Sequence, residues 1–398
     1  MYELVIKGGR LIDPAQGINE CRDIGIFDRK IAALTHEIPP SEARKVIDAQ
    51  GKIVTPGLID LHVHVADAII PLGAAPDEAG VLRGVTTICD GGSTGCVNFQ
   101  GFRKYVITQA KTDVFCYLNI CPTGLSMMRE IRGWDDIDTE ATLKIAVENR
   151  DIIKGIKLRA VNPLAHKLGL KAVKVAKKVA REAGISLMVH IGDQRNRKAG
   201  EVDVMDAFSL KLLPLLDKGD VLSHVYTAQA GGVIQPDGTV PPELRKAQDR
   251  GVIMDTAHGR PNLSFEIARQ GLAQGIMPTT ISTDLASTNI HGPIFSLLLT
   301  MSKFIALGLS LEQVIEMTTV NPARALGEEK RRGMLKVNMP ADISIIELTH
   351  GDFMFTDAWA GNEQKGDILL LDHLTIKGGM EIIPKPRAKN EVASKRPF

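Results

Sequence analysis

The sequence predicts an α/β protein: a (β/α)8 barrel of the TIM type, with a small accessory β-sandwich built from both chain ends. Three observations carry this. Between residues 54 and 330, eight mostly apolar, strand-like runs alternate with helical stretches. Short strand-and-turn segments precede and follow that region. No G-x-G-x-x-G or G-x-x-x-x-G-K-[ST] phosphate loop supports the alternative, a doubly wound open sheet. The expected domains are therefore 1–53 with 331–398 (accessory β-sandwich) and 54–330 (barrel).

The first fifty residues read as short strands. Leu4-Val5-Ile6-Lys7 runs into Gly8-Gly9, a turn signal, and Arg10-Leu11-Ile12 into Asp13-Pro14. The stretch Cys21 to Phe27 alternates, and Asp28-Arg29-Lys30 turns into Ile31-Ala32-Ala33-Leu34. Val46-Ile47-Asp48 ends at Ala49-Gln50-Gly51.

The barrel runs follow in order. The first is Val54 to His64, and the second is the β-branched Gly84 to Asp90, closed by Gly91-Gly92. Next come 114–120, 152–158, 186–190, 220–224, 252–256 and 279–284. The clearest helix lies between the fourth and fifth. Ala172, Val173, Ala176, Val179, Ala180 and Ala183 keep helical spacing opposite lysines, and Gly184 stops it. After residue 330, Arg332 to Val337 and Ile343 to Glu347 are expected as strands flanking the Asn338-Met339-Pro340-Ala341-Asp342 turn.

Composition excludes several classes. The formal net charge of the 398-residue chain is +1, which gives no argument for nucleic acid or an anionic membrane. No apolar run reaches the length of a membrane span, and the N-terminus lacks a signal-peptide core. The five cysteines, without C-x-x-C, make neither a disulfide framework nor a zinc knuckle. Cys89, Cys116 and Cys121 sit in apolar runs as small buried hydrophobes. A cytoplasmic enzyme with a small-molecule substrate, compatible with a homo-oligomer, is expected. The basic stretch 385–396 reads as a solvated tail.

Chemistry concentrates at the strand ends, where barrel enzymes carry it. On a strand, His62 and His64 point the same way and make half of a metal site. Lys157 lies near the end of strand four, His190 ends strand five, His224 strand six and Asp284 strand eight. His36, His166, His350 and His373 read as surface residues. Nitrogen and carboxylate ligands without thiolate suit zinc first, then manganese, iron or nickel. A lysine on an apolar strand is costly to bury unpaired. It is either matched by a carboxylate such as Asp284 or carboxylated by CO2, which makes it an anionic ligand able to bridge two metals.

Thr55-Pro56-Gly57-Leu58-Ile59-Asp60-Leu61-His62-Val63-His64, with Lys157, His190, His224 and Asp284 in that order, resembles the amidohydrolase superfamily. The resemblance covers nearly the whole chain. It implies two divalent metal ions bridged by carboxylated Lys157, with His62, His64 and Asp284 on one and His190 and His224 on the other. Ser223 to Ala228, Asp255 to Gly259 and Ile281 to Leu285 further resemble a deacetylase-like subgroup whose members often carry dihydroorotase or adenine deaminase labels. Ala66 stands where the dihydroorotase pattern has an arginine that grips a carboxylate.

The expected reaction is hydrolysis of an amide or ester of a small acylated carboxylate, of N-acyl amino acid type, by a metal-activated hydroxide. Asp284 would move the proton. His258 would hydrogen-bond the substrate carbonyl, and Arg159 and Arg260 would hold its carboxylate. The glycine-rich segment 228–238 would form a loop over the site. A cyclic amide or imide hydrolase is the second enzyme reading, and an adenine deaminase a third. A catalytically inactive structural barrel is the non-enzyme alternative.

Overall fold

The structure, a computed structural model, describes residues 1–128, 130–193, 199–357, 359, 361–386 and 394–395. The first strands are β1 (Leu4–Asp13), β2 (Ile18–Phe27), β3 (Lys30–Thr35), β4 (Val46–Asp48) and β5 (Ile53–Pro56). A parallel set follows: β6 (Leu58–Val63), β7 (Val85–Asp90), β8 (Asp113–Asn119), β9 (Ile153–Arg159), β10 (Ser186–His190), β11 (Val221–Ser223) and β12 (Ile253–Asp255). The last are β13 (Ile343–Thr356), β14 (Glu363–Lys377), β15 (Met380–Ile382) and β16 (Ser394–Lys395).

Strands β6 to β12 form one parallel sheet in chain order. The eighth expected run, 279–284, is not a regular strand. It still bonds to both edges of the sheet. Thr279 N donates to Met254 O (2.8 Å) and Thr256 N to Thr280 O (3.1 Å), while Asp284 N donates to His62 O (2.7 Å). Isolated bridges pair Thr280 with Asp255 and Leu285 with Val63. Asp284 has φ +51°, which breaks extended geometry where the segment crosses to β6.

The terminal segments form a single nine-stranded mixed sheet, rather than two separately bonded sheets of a sandwich. Its path runs β15-β14-β13-β5-β1-β2-β3, with β16 on β13 and β4 on β1. Both chain ends meet where β5 lies between β1 and β13. Residues 54–56, expected in the barrel, thus belong to this sheet. The chain changes sheets at Gly57, where a side-chain carbon would sit 2.1 Å from Thr86 Oγ1.

Two further expectations are corrected. Gly8-Gly9 is a register shift within a continuous β1, because β2 pairs on both sides of it. Arg332 to Val337 is irregular. Arg332 is instead held by Asp113 (2.6 Å), and Leu335 packs into the mixed sheet's core.

The mixed sheet has its own core, including Ile6, Leu11, Ile24, Val54, Ile343 and Ile376. The parallel sheet carries a larger one on its helical side and a smaller one around Ile59, Tyr117 and Met188, joined by Ala323 and Leu326. The helix Leu170–Ala183 buries Ala172, Val173, Ala176, Val179, Ala180 and Ala183, and Gly184 ends it at φ +67°. The cysteines are free, and Cys89, Cys116 and Cys121 are buried. Among the described residues, no helix is long and apolar enough to cross a membrane. Of the basic tail, Lys385 pairs with Glu78 at 2.5 Å, whereas Arg387, Lys389 and Arg396 lie outside the described residues.

Candidate functional site

All seven parallel strands end on the same side, and five histidines, a lysine and an aspartate converge there. His62 lies on β6, and His64 follows its last residue. Lys157 is on β9, His190 ends β10, and His224 follows β11. His258 follows β12, and Asp284 lies in the closing segment. By contrast, His36, His166, His350 and His373 are exposed, as expected.

The converging groups make two halves. Asp284 Oδ1 stands 3.1 Å from His64 Nε2 and 3.7 Å from His62 Nε2. One ligand atom from each of these three residues falls within 4.8 Å of the others. In the second half, His190 Nδ1 faces His224 Nε2 at 2.7 Å. Lys157 lies between. Its Nζ is 3.2 Å from His62 Nε2 and 3.3 Å from Met188 Sδ. Among the described residues Lys157 has no ion pair with a carboxylate, although it is 1% exposed.

Local sequence explains this convergence. The β6–β7 register slips between Asp60 and Val63, a bulge that re-aims the strand end. Gly91 and Gly92 follow β7 because side chains there would collide: 2.1 Å from His62 Cδ2 and 2.4 Å from Lys157 Cγ. His224 (φ +70°) and Ala257 (φ +37°), just after β11 and β12, and Asp284 (φ +51°) in the closing segment hold left-handed backbone. Such strain persists where the surroundings over-determine it, and it gathers at functional sites.

A second layer of polar residues orients the first. His64 Nδ1 meets Ser93 Oγ (2.9 Å), and His62 Nδ1 meets Ser223 Oγ (3.2 Å). Asp255 accepts from Ser282 Oγ (2.6 Å) and Thr280 Oγ1 (2.7 Å). Asp60 accepts from Thr283 Oγ1 (2.6 Å) beside the closing segment. Asp60, Asp255 and Ser223 lie in the motifs that carry the family resemblance, although the sequence alone assigns none of them a role. Asp60 and Asp255 sit in apolar runs, where a buried acid is a signal in itself.

Burial governs protonation here. It holds His62 and His190 well below the ordinary imidazole range, with the Lys157 and His224 charges respectively as the next cause. Burial also takes His224 down to about 3 and Lys157 to about 8. For Asp284 burial opposes ionisation, but the opposing causes, the hydrogen bond with His64 first among them, hold the carboxyl well below its usual range. Burial thus favours neutral imidazoles at His62, His190 and His224, beside an ionised Asp284 carboxylate.

That donor set fits divalent cations. His224 Nδ1–H donates to Ala257 O (2.7 Å), and His190 Nε2–H to Gly192 O (3.3 Å). The two nitrogens that face each other then both present lone pairs, which only a shared cation or proton relieves. With carboxylate and imidazole and no thiolate, the set suits zinc and its neighbours.

The expected substrate contacts are placed unevenly. Arg159, two residues after Lys157 on β9, is held by Glu130, with Nη1 3.2 Å from each carboxylate oxygen. Arg260 is exposed. His258 is buried with both ring nitrogens engaged: Nδ1 with Gly259 O (2.8 Å) and Nε2 with Lys303 Nζ (2.9 Å). Lys303, on the helix Leu297–Ala306, is buried and also donates to Pro293 O (3.0 Å). One lysine in Leu297-Leu298-Leu299-Thr300-Met301-Ser302-Lys303-Phe304 is the same kind of sequence anomaly as Lys157. The segment 228–238 is partly buried and pinned, with Asp193 N donating to Ala230 O (2.8 Å) and Gly231 N to Asp206 Oδ1 (2.6 Å).

The model of the amidohydrolase family matches residues 53–372. The chain belongs to the amidohydrolase family. It is similar to a deacetylase of Agrobacterium fabrum, 32% identical over 350 residues, spanning 87% of this chain and 82% of the relative. A crystal structure of an adenine deaminase superposes with a TM-score of 0.86 at 29% identity, over 96% of this chain and 100% of that one. A dihydroorotase crystal structure gives 0.85 at 30% identity, over 97% and 99%. The chain is thus a hydrolase of carbon–nitrogen bonds with a TIM-barrel-like fold, in a family that generally uses a binuclear metal centre.

Proposed function

We propose that the protein is a metal-dependent deacetylase that hydrolyses an amide or ester bond of a small acylated carboxylate, of the N-acyl amino acid type. The single observation that carries the metal-dependent reading is Lys157. A buried ammonium whose polar neighbours are a histidine nitrogen and a thioether is poorly matched. Carboxylation turns it into an anionic ligand at the junction of the two halves. His62, His64 and Asp284 would hold one ion and His190 and His224 the other, with carboxylated Lys157 between them.

When bound, two divalent cations, zinc first among candidates, supply Lewis acidity to a water and to the scissile carbonyl. Asp284 takes the proton from that water and returns it to the leaving group. Its Oδ1 faces His62 and His64, so Oδ2 is the oxygen left to carry the proton. Arg159, fixed by Glu130, keeps donors for a substrate carboxylate. His258 contacts substrate by exchanging its Lys303 bond, and exposed Arg260 serves at the rim.

A cyclic-amide hydrolase is the second reading, favoured by the likeness to a dihydroorotase structure. Ala66, small and buried, counts against it. We also read the parallel sheet with its closing segment, residues 57–330, as a complete (β/α)8 barrel and the mixed sheet of the two terminal segments as its accessory β-domain, supported by their separate cores. The free cysteines support a cytoplasmic setting.

A panel of N-acyl-D- and L-amino acids, acyl esters, cyclic imides and purines tests the proposal. Turnover of acylated carboxylates, lost on chelation and restored by zinc, is the expected result. Turnover confined to imides or purines, or full activity in metal-free protein, refutes it.

A further inference from the structure

Asn262 is fully buried, and neither end of its side-chain amide has a hydrogen-bond partner. It closes the short helix Gly259–Asn262 that follows His258. An unpaired buried amide is costly, and folded proteins keep few of them outside functional sites. This one is beside the candidate centre. A side-chain carbon on Gly259 would lie 2.5 Å from Asp284 Oδ2 and 2.9 Å from Asn262 Nδ2. The absence of that carbon, at φ +52°, leaves the amide and the carboxylate on the same side of the Gly259 backbone, with no hydrogen bond between them.

The two oxygens of Asp284 are thereby distinguished. Oδ1 faces the histidines, and Oδ2 lies on the Gly259 side, where Asn262 Nδ2 also lies. If Asp284 hands the proton onward, as the proposed function has it, the acceptor is the departing heteroatom, and it lies on the Oδ2 side. The atoms next to it belong to the leaving half of the substrate, not to the acyl half. Asn262 offers there a donor and an acceptor without a charge. An α-amino or α-hydroxy carboxylate presents the complementary oxygens and hydrogens beside the scissile bond. The segment 228–238 lies against this corner, where Gln229 Nε2 donates to Pro261 O (3.4 Å).

We infer that Asn262 is a specificity-determining contact for the leaving half of the substrate. This rests on the hydrolase reading, and the experiment separates the two. The metal-loaded protein and its Asn262→Leu variant are assayed on two series. One varies the leaving half at constant acetyl: N-acetylalanine, O-acetyllactate and N-acetylalaninamide, in both enantiomers. The other varies the acyl group at constant alanine: formyl, acetyl and propionyl.

The expected result is a change of about tenfold or more in the kcat/KM ratios within the leaving series, with ratios in the acyl series shifted by less than about twofold. Metal content and Tm report folding, and Asn262→Ser replaces the leucine variant if that one fails to fold. A uniform loss across both series, or no loss, overturns the inference while leaving the hydrolase reading in place. If the wild type turns over none of these compounds, that reading fails and the contact is judged by calorimetric titration of alanine and lactate alone. An affinity of about tenfold or more above the variant's upholds it; equal affinity, or no binding by either protein, overturns it.

Discussion

Replacing Asp284 by Asn removes a base while leaving its scaffold in place. The backbone is anchored by Asp284 N to His62 O (2.7 Å) and by Asn289 Nδ2 to Asp284 O (2.9 Å). At φ +51° Asn is as well tolerated as Asp, since both visit the left-handed region more readily than other side chains. Fold and most bound metal should therefore survive, because the amide oxygen can still face His64 where Oδ1 stands at 3.1 Å. What disappears is the ionised oxygen toward Gly259. General acid–base catalysis contributes about 10²–10⁴-fold, so kcat should drop by that range, or roughly 3–5 kcal/mol of barrier. The sign in pH is fixed as well. A base must be deprotonated, so wild-type activity falls as pH falls through the shuttle's pKa, and the variant should lose that acidic limb. The assay pairs kcat across pH with metal content by mass spectrometry. Near-normal kcat with both metals bound would refute the shuttle, and His258 would become the next candidate.

Other outcomes follow from the same geometry. His62→Ala or His190→Ala should lower metal content below the expected two ions per chain and abolish turnover; undiminished metal by elemental analysis would contradict the ligand assignment. Lys157→Ala should be inactive and partly rescued by short carboxylic acids that replace the carbamate oxygens, and rescue by neutral amides to the same extent would count against carboxylation. Lys303, pulled to about 7 by burial with the Asp357 charge opposing, binds fewer protons folded than unfolded from there up to its ordinary 10.5. Stability should thus rise with pH across that window. Lys303→Met should lack the rise, and parallel Tm–pH curves for the two proteins would exclude the buried titration.

Periodicity and residue type determined a good deal on their own. Apolar runs of strand length between helices imply a parallel sheet buried on both faces, and seven of the eight runs overlap its seven strands. Residue chemistry singled out His62, His64, Lys157, His190, His224 and Asp284, because imidazoles and a lone lysine at apolar strand ends are costly without a purpose. Tertiary structure decided the rest. Whether Gly8-Gly9 is a turn or a register shift depends on the partner strand, which local sequence does not contain. Gly57 changes sheets because Thr86 lies against it, 29 residues along the chain. Arg260 and Lys303 are both basic, yet one faces solvent and the other reaches His258 across 45 residues of chain. Asn262 is unremarkable in sequence and becomes informative only when its amide is buried without a partner beside Asp284. Local sequence sets propensity and chemical potential, while distance between remote residues is set by how the chain closes, and the site exists only at that closure.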